Sequence, residues 1–427
     1  MKEEFLYFLW KFKKFGTEAL KTSAGQPISI FDPGTRNLNS GPDFFNARIQ
    51  IGDQLWAGNV EMHINSSDWY LHHHQLDPNY ENVILHVVWN HDEDVFRKNS
   101  TAIPVLELSR LVKPFVLHNY LNLLETAHNS LNCEQDFPEF DQFKMDRWLE
   151  RLYFERLEKK AKILKELFDK TANDWEATCF VFLCQSFGLN INGENFKAIA
   201  QSFDFKIWRK LKPDLFSLEA LLLGQAGLIK GEDKYALDLR KEFEYLKVKY
   251  QLCYELQQKP EFFRLRPDNF PSIRLAQIAA LYHFHDNLFQ RIIDAKDVNS
   301  INEIFKVEVS DYWKTHYNFS TPHKPRNKKL SKKFIDLLII NFVIPLKFVY
   351  ANYIGADVNS EISDLLRFIK KEDNSIVKLY NQIRPGTAVN ALQSQALVQL
   401  KREYCDRNNC LQCELGASIL NKFPKYV

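Results

Sequence analysis

The hydrophobic period of this chain changes once, near Arg110, and the change confines it to an α/β segment followed by a helical one. Phe5, Phe8, Leu9 and Phe12 are spaced for one short amphipathic helix at the start. Ile28–Phe31 reads as a strand closed by the turn Asp32-Pro33-Gly34. Phe44–Ile51 alternates, with Phe45, Ala47, Ile49 and Ile51 set against Asn46, Arg48 and Gln50. Gly52-Asp53 signals a hairpin, and Leu55–Ile64 is its return strand. Ser66-Ser67-Asp68 offers caps for a short polar helix that ends near Pro78. Val83–Trp89 is apolar almost throughout, as a strand buried on both faces requires, and Ile103–Leu108 is a further strand. The order α-β-β-β-α-β-β predicts a compact mixed sheet with helices against it.

Beyond Arg110 the spacing is helical nearly everywhere. Phe143–Leu167 predicts a long charged amphipathic helix, and Trp175–Phe187 an apolar one stopped by Gly188. Further helices are expected over 217–228, 234–256, 271–284, 331–349, 359–370 and 388–404. No fixed-period repeat supports a solenoid. At 427 residues the chain exceeds one typical core, so the expectation is an α/β domain over 1–110 and an all-α domain over 111–427 with a Cys-rich end.

Lys and Arg number 56 against 54 Asp and Glu, a balance of +2 that excludes a uniformly basic coat. DNA or RNA is then expected as a partner only through a local patch. His323–Lys333 offers one, with Lys324, Arg326, Lys328, Lys329, Lys332 and Lys333; its plainer reading is a solvated loop between helices. Glu3 and Glu4 stand where a secretory leader carries positive charge. The most apolar stretch, Phe334–Tyr350, is interrupted by Asp336, Asn341, Pro345 and Lys347, so no membrane partner is expected. Seven Cys, an odd number, point to reduced thiols and a cytoplasmic setting.

Six of the 12 His fall within one short stretch: His63, His72, His73, His74, His86 and His91. The same stretch of chain holds Asp43, Glu61, Asp77 and Asp92. Glu61 and His63 are two apart on one strand and so project from one face. Asp43 depends on the hairpin register. A three-residue loop, Gly52–Gln54, places it opposite His63 on that face; a two-residue loop, Gly52-Asp53, sends it to the other face. We expect the odd-numbered loop, which makes Asp43 and Glu61 a carboxylate pair suited to Mg²⁺ or Mn²⁺. Convergence of His63, His72, His74 and His86 would instead suit a transition metal. The plainer readings are a turn cap for Asp43, a strand-edge pair for Glu61 and His63, and a hydrogen-bonded core residue for His86.

Pro42-Asp43 opening one strand, Glu61-Met62-His63 on the next, and the order of elements together resemble the PD-(D/E)xK nuclease superfamily over residues 1–110. The resemblance implies a restriction-endonuclease-like sheet and a metal-dependent phosphodiesterase acting on DNA or RNA. It makes Asp43 and Glu61 metal ligands, the carbonyl of Met62 a third, and all three of Asp43, Glu61 and His63 catalytic. His63 occupies the position where that superfamily carries Lys. The alternative is a non-catalytic protein that keeps the sheet to hold nucleic acid or another protein. Longer strings resemble an uncharacterised bacterial family, domain of unknown function 2851. They include Gly41-Pro42-Asp43-Phe44, Gly58-Asn59-Val60-Glu61-Met62-His63, Ser67-Asp68-Trp69, Val83-Ile84-Leu85-His86, Leu223-Gly224-Gln225-Ala226-Gly227 and Arg266-Pro267-Asp268-Asn269-Phe270-Pro271.

Cys405-x4-Cys410-x2-Cys413 sets three of the seven Cys close to the end of the chain. Cys-x2-Cys is a thiolate clamp for Zn²⁺ or an iron–sulfur cluster. Such a centre needs a fourth ligand from afar, and Cys133 is the candidate. The plainer reading is a set of reduced thiols packing a terminal helix.

Overall fold

A computed structural model describes residues 1–125, 130–252, 259–319 and 321–422. The opening helix α1 (Glu3–Lys11) buries Phe5, Leu6, Phe8, Leu9 and Trp10 along its inner face. The strands are β1 (Ile28–Asp32), β2 (Thr35–Arg36), β3 (Phe44–Ile51), β4 (Gln54–Asn65), β5 (Val83–Asn90) and β6 (Val105–Glu107). They form one sheet in the order β1-β3-β4-β5-β6, with β2 paired to β3 outside that path. β1, β3 and β4 run antiparallel; β4, β5 and β6 run parallel. A parallel step needs a crossover, and the chain between β4 and β5 supplies it with the short helix α2 (Asp68–Leu71) and two single 3-10 turns. The expected single helix from Asp68 toward Pro78 is therefore broken into three pieces, and β2 is a strand the alternation did not announce.

One face of the sheet packs Phe44, Ala47, Ile49, Val60, Met62, Leu85 and Val87 against α1 and against Tyr120 of α3 (Pro114–Glu125). The other face carries a smaller cluster of Trp69, Tyr80, Val83, Val88, Val95, Ile103 and Val105. The crossover thus covers one side and α1 the other, which is why the polar residues of β4 are buried.

The chain divides into two compact units: Met1–Trp148 with Leu379–Pro385 and Val398–Val427, and Leu149–Lys378 with Gly386–Leu397. That differs from a cut after residue 110. Ile419 and Leu420 belong to the core of α1 and the sheet, so burial draws the C-terminal helix Glu414–Leu420 into the first unit.

The second unit is helical. Pro271–Phe284 lies where its spacing placed it, and Leu215–Gln225, Lys234–Tyr250, Asn359–Phe368 and Ala391–Gln399 come within a few residues of expectation. The expected helix 234–256 ends earlier at Tyr250, and its residues 253–256 lie outside the described ones. Trp175–Gln201 does not stop at Gly188: it kinks at Leu189 (φ 52°) and resumes. A side chain at Gly188 would meet the backbone of Gly193 at 2.6 Å, so the kink packs backbone on backbone. One continuous helical stretch, Lys332–Ile354, is long and apolar enough to cross a membrane by length and composition. Of its most apolar window, 78% is buried inside the fold, and Nζ of the buried Lys347 lies 2.7 Å from Glu361 Oε1.

Candidate metal centre

The hairpin between β3 and β4 pairs Ile51 with Gln54, so its loop is the two residues Gly52-Asp53 and the expected odd-numbered loop is wrong. Left alone, that register would point Asp43 into the apolar face with Ala47, Ile49 and Ile51. A β-bulge between Phe44 and Ala47 reverses the outcome. Asn46 takes a left-handed φ of 59°, and beyond it Phe44 pairs with Val60. The extra residue flips the end of β3, so Phe44 enters the core and Asp43 comes to Glu61 on the opposite face.

Glu61 and Asp43 hold one another through the backbone. Asp43 N–H donates to Glu61 Oε2 at 3.1 Å, and Met62 N–H donates to Asp43 Oδ2 at 3.1 Å. Arg36 Nη1 donates to Asp43 Oδ1 at 2.7 Å while its guanidinium lies over the Tyr7 ring at 3.6 Å. Burial, then the neighbouring Asp43 charge, pushes the Glu61 carboxyl up to about 9. Burial also raises Asp43, against the pull of Arg36. Both Asp43 oxygens have partners already, whereas Glu61 Oε1 faces imidazoles.

His73 also adopts a left-handed φ, 59°, between α2 and the next turn. With His73 turned away there, the chain brings exposed His72 and half-buried His74 both to His63. One ring nitrogen from each of His63, His72 and His74 lies within 4.8 Å of the other two. His63 Nε2 is 3.1 Å from His72 Nδ1 and 3.6 Å from Glu61 Oε1; His74 Nε2 is 3.4 Å from the same oxygen. His63 Nδ1 lies 2.8 Å from Nε2 of the fully buried His86. Tyr80 stacks on the His74 ring at 3.8 Å. Burial first, then neighbouring imidazoles, lowers His63 to about 2, His86 to about 3 and His74 to about 4. The three rings are neutral near pH 7, the form in which imidazole binds a metal. His74 Nε2, though buried and close to Glu61, makes no hydrogen bond, and neither does His86 Nδ1.

Other candidates serve the frame. Asp92 accepts from Ser66 and Ser67, and His91 lies 3.2 Å from the Ser66 hydroxyl. Asp77 caps a 3-10 turn through Asn79 N–H. Cys133, Cys405, Cys410 and Cys413 are all free thiols, and all four line one small cavity with Leu123, Asn132, Tyr404 and Gly416. In the basic patch of the second unit, Arg326 pairs with Asp268 at 3.0 Å and Lys329 with Glu308 at 2.8 Å. Lys328 is buried against the carbonyls of Trp313 and His316. Sequence reasoning missed Arg36, Tyr80 and the Asn46 bulge. An Asn within a strand alternation was the signal available for the bulge, because Asn tolerates positive φ better than most residues.

Fold and site together define an α/β module with an imidazole cluster between a mixed sheet and its crossover, in a chain that also builds a helical unit. A family model described as "Protein of unknown function (DUF2851)" matches residues 3–375, and the chain belongs to that family. No curated protein and no solved structure matches it.

Proposed function

We propose that this protein is a metal-dependent hydrolase, with the phosphodiester bonds of DNA or RNA as its substrate class. The observation that carries the reading is the convergence of His63, His72 and His74 within 4.8 Å. Those three rings and Glu61 Oε1 would hold the ion. The donor set fits: three converging imidazoles, a hydrogen-bond-free nitrogen on His74, and a Glu61 carboxyl oxygen turned to them that a cation would hold ionised. Imidazole ligands favour Zn²⁺, Mn²⁺ or iron over Mg²⁺. Such an ion supplies a water-derived nucleophile near neutral pH and polarises a phosphoryl oxygen.

The protein's own groups do the remaining work. Were His63 Nε2 to hold the ion, its Nδ1 would carry the ring proton and donate to His86 Nε2, which would fix the ring's tautomer and orientation. Exposed His72 sits at the solvent side of the cluster. Arg36 keeps Asp43 balanced beside the cluster. The phosphodiester class rests on the Pro42-Asp43 and Glu61-Met62-His63 pattern and its likeness to the restriction-endonuclease-like sheet. Engagement of both Asp43 oxygens favours one second reading, a metal-bound module that grips nucleic acid or protein without turnover.

The test is metal analysis of the purified protein, followed by cleavage assays on DNA and RNA with Zn²⁺ and Mn²⁺. His72→Ala and His74→Ala should each remove about one equivalent of metal and abolish cleavage. His86→Phe should weaken metal binding roughly 10–100-fold. Unchanged metal content in both alanine variants would sink the centre. Bound metal without cleavage would leave the second reading.

A further inference from the structure

The first unit holds a second convergence of metal-binding side chains, on the apolar side of its sheet. Cys133 precedes the 3-10 turn Phe137–Glu139, and Cys405 closes the π-helical turn Leu400–Cys405. Cys410 opens the turn Cys410–Gln412, and Cys413 stands just before the helix Glu414–Leu420. Four separate positions, one of them more than 270 residues from the others, thus deliver four sulfurs to one cavity.

Polar donors are aimed at those sulfurs. Asn132 Nδ2 donates to Cys410 Sγ at 3.5 Å, and the Tyr380 hydroxyl lies 3.2 Å from Cys405 Sγ. The backbone N–H groups of Leu415 and Gly416 point to Cys413. These groups would bond more strongly to metal-bound thiolates than to neutral thiols, which are weak acceptors. The turn itself is built tightly: a side chain at Gly416 would come 2.1 Å from the carbonyl oxygen of Cys410. Only glycine lets the Cys410–Cys413 loop close onto the helix that follows.

We propose that Cys133, Cys405, Cys410 and Cys413 jointly hold a structural metal centre, either Zn²⁺ or an iron–sulfur cluster, which clamps the C-terminal segment onto the α/β core. All-thiolate sites select these two classes of metal. The free space among the four sulfurs, ≈ 20 Å³, is that of a single ion and favours Zn²⁺.

The experiment is anaerobic purification of the full chain, with metal analysis, an absorption spectrum and alkylation of thiols under native conditions. A cluster gives several iron per chain and broad visible absorption; Zn²⁺ gives one colourless equivalent. In either case all four thiols resist alkylation until the metal is stripped. The same metal must persist in a His72→Ala/His74→Ala protein and disappear in Cys410→Ser and Cys413→Ser proteins. The alkylation readout on the wild-type chain keeps the test valid where a Cys variant fails to fold. Full alkylation of the four thiols in the folded wild-type protein, without zinc or iron that survives loss of the two histidines, overturns the proposal.

Discussion

His73 contributes no side chain to the cluster, yet its left-handed backbone is what makes His72 and His74 neighbours. The run of three His is plain in the sequence, but positive φ at the middle one is not, since any of the three could have taken it. Glu219 poses the residue-scale problem in the second unit. It is fully buried, accepts from Trp313 Nε1 at 3.0 Å and from the Tyr235 and Ser310 hydroxyls, and leaves Oε1 without a hydrogen bond. Burial outweighs those bonds and raises its carboxyl from 4.5 to about 7. The folded state therefore keeps this proton longer than the unfolded chain. The stabilisation is complete below about pH 4.5 and is lost as pH rises through about 7, a change on the order of 3 kcal/mol. Glu219→Gln should flatten that part of the profile. Urea midpoints from pH 4.5 to 8 check it: equal slopes in the two proteins would rule Glu219 out as the source.

At the scale of elements, the β3–β4 hairpin shows how much of the site a sequence can carry. Alternation placed both strands, and Glu61 and His63 on one face follow from a period of two. The position of Asp43 does not follow, because two errors of one residue cancel: the loop is shorter than expected and the bulge restores the face. Neither leaves a periodic trace. The bulge rests on Asn46, whose N–H reaches Asn59 Oδ1 at 3.4 Å. Asn46→Gly should be tolerated within a few tenths of a kcal/mol, since glycine adopts positive φ freely. Asn46→Val should cost about 1–2 kcal/mol, the strain of a left-handed conformation in a branched residue. Denaturant unfolding measures both, and equal stability of the two variants would mean that the bulge relaxes.

At the scale of the molecule, the change of period near Arg110 announced an α/β part and a helical part, and both are present. The return of the chain's end was not legible, because a contact between residues some three hundred positions apart leaves no local pattern. Asn119 Nδ2 donates to the carbonyls of Ile419 and Lys422, and Lys422 Nζ pairs with Asp136 and Glu139. A chain stopped after Tyr404 loses Leu415, Ile419 and Leu420 from buried positions. At ~1.5–3 kcal/mol for each large side chain, the first unit should lose several kcal/mol. Its melting temperature should fall by about 10 °C or more. Calorimetry that finds the first unit melting at its full-length temperature would refute this.

The same return sets a clock on biosynthesis. The sheet leaves the ribosome first, but Ile419 and Leu420, which close its core, lie about 270 positions beyond Trp148. At about 5–20 residues per second, the wait is roughly 14 to 54 seconds. Throughout that interval the seam that will receive Ile419 and Leu420 stays open to water. A nascent or prematurely terminated chain displays it as a sticky apolar surface, a natural target for chaperones and for the machinery that removes unfinished proteins.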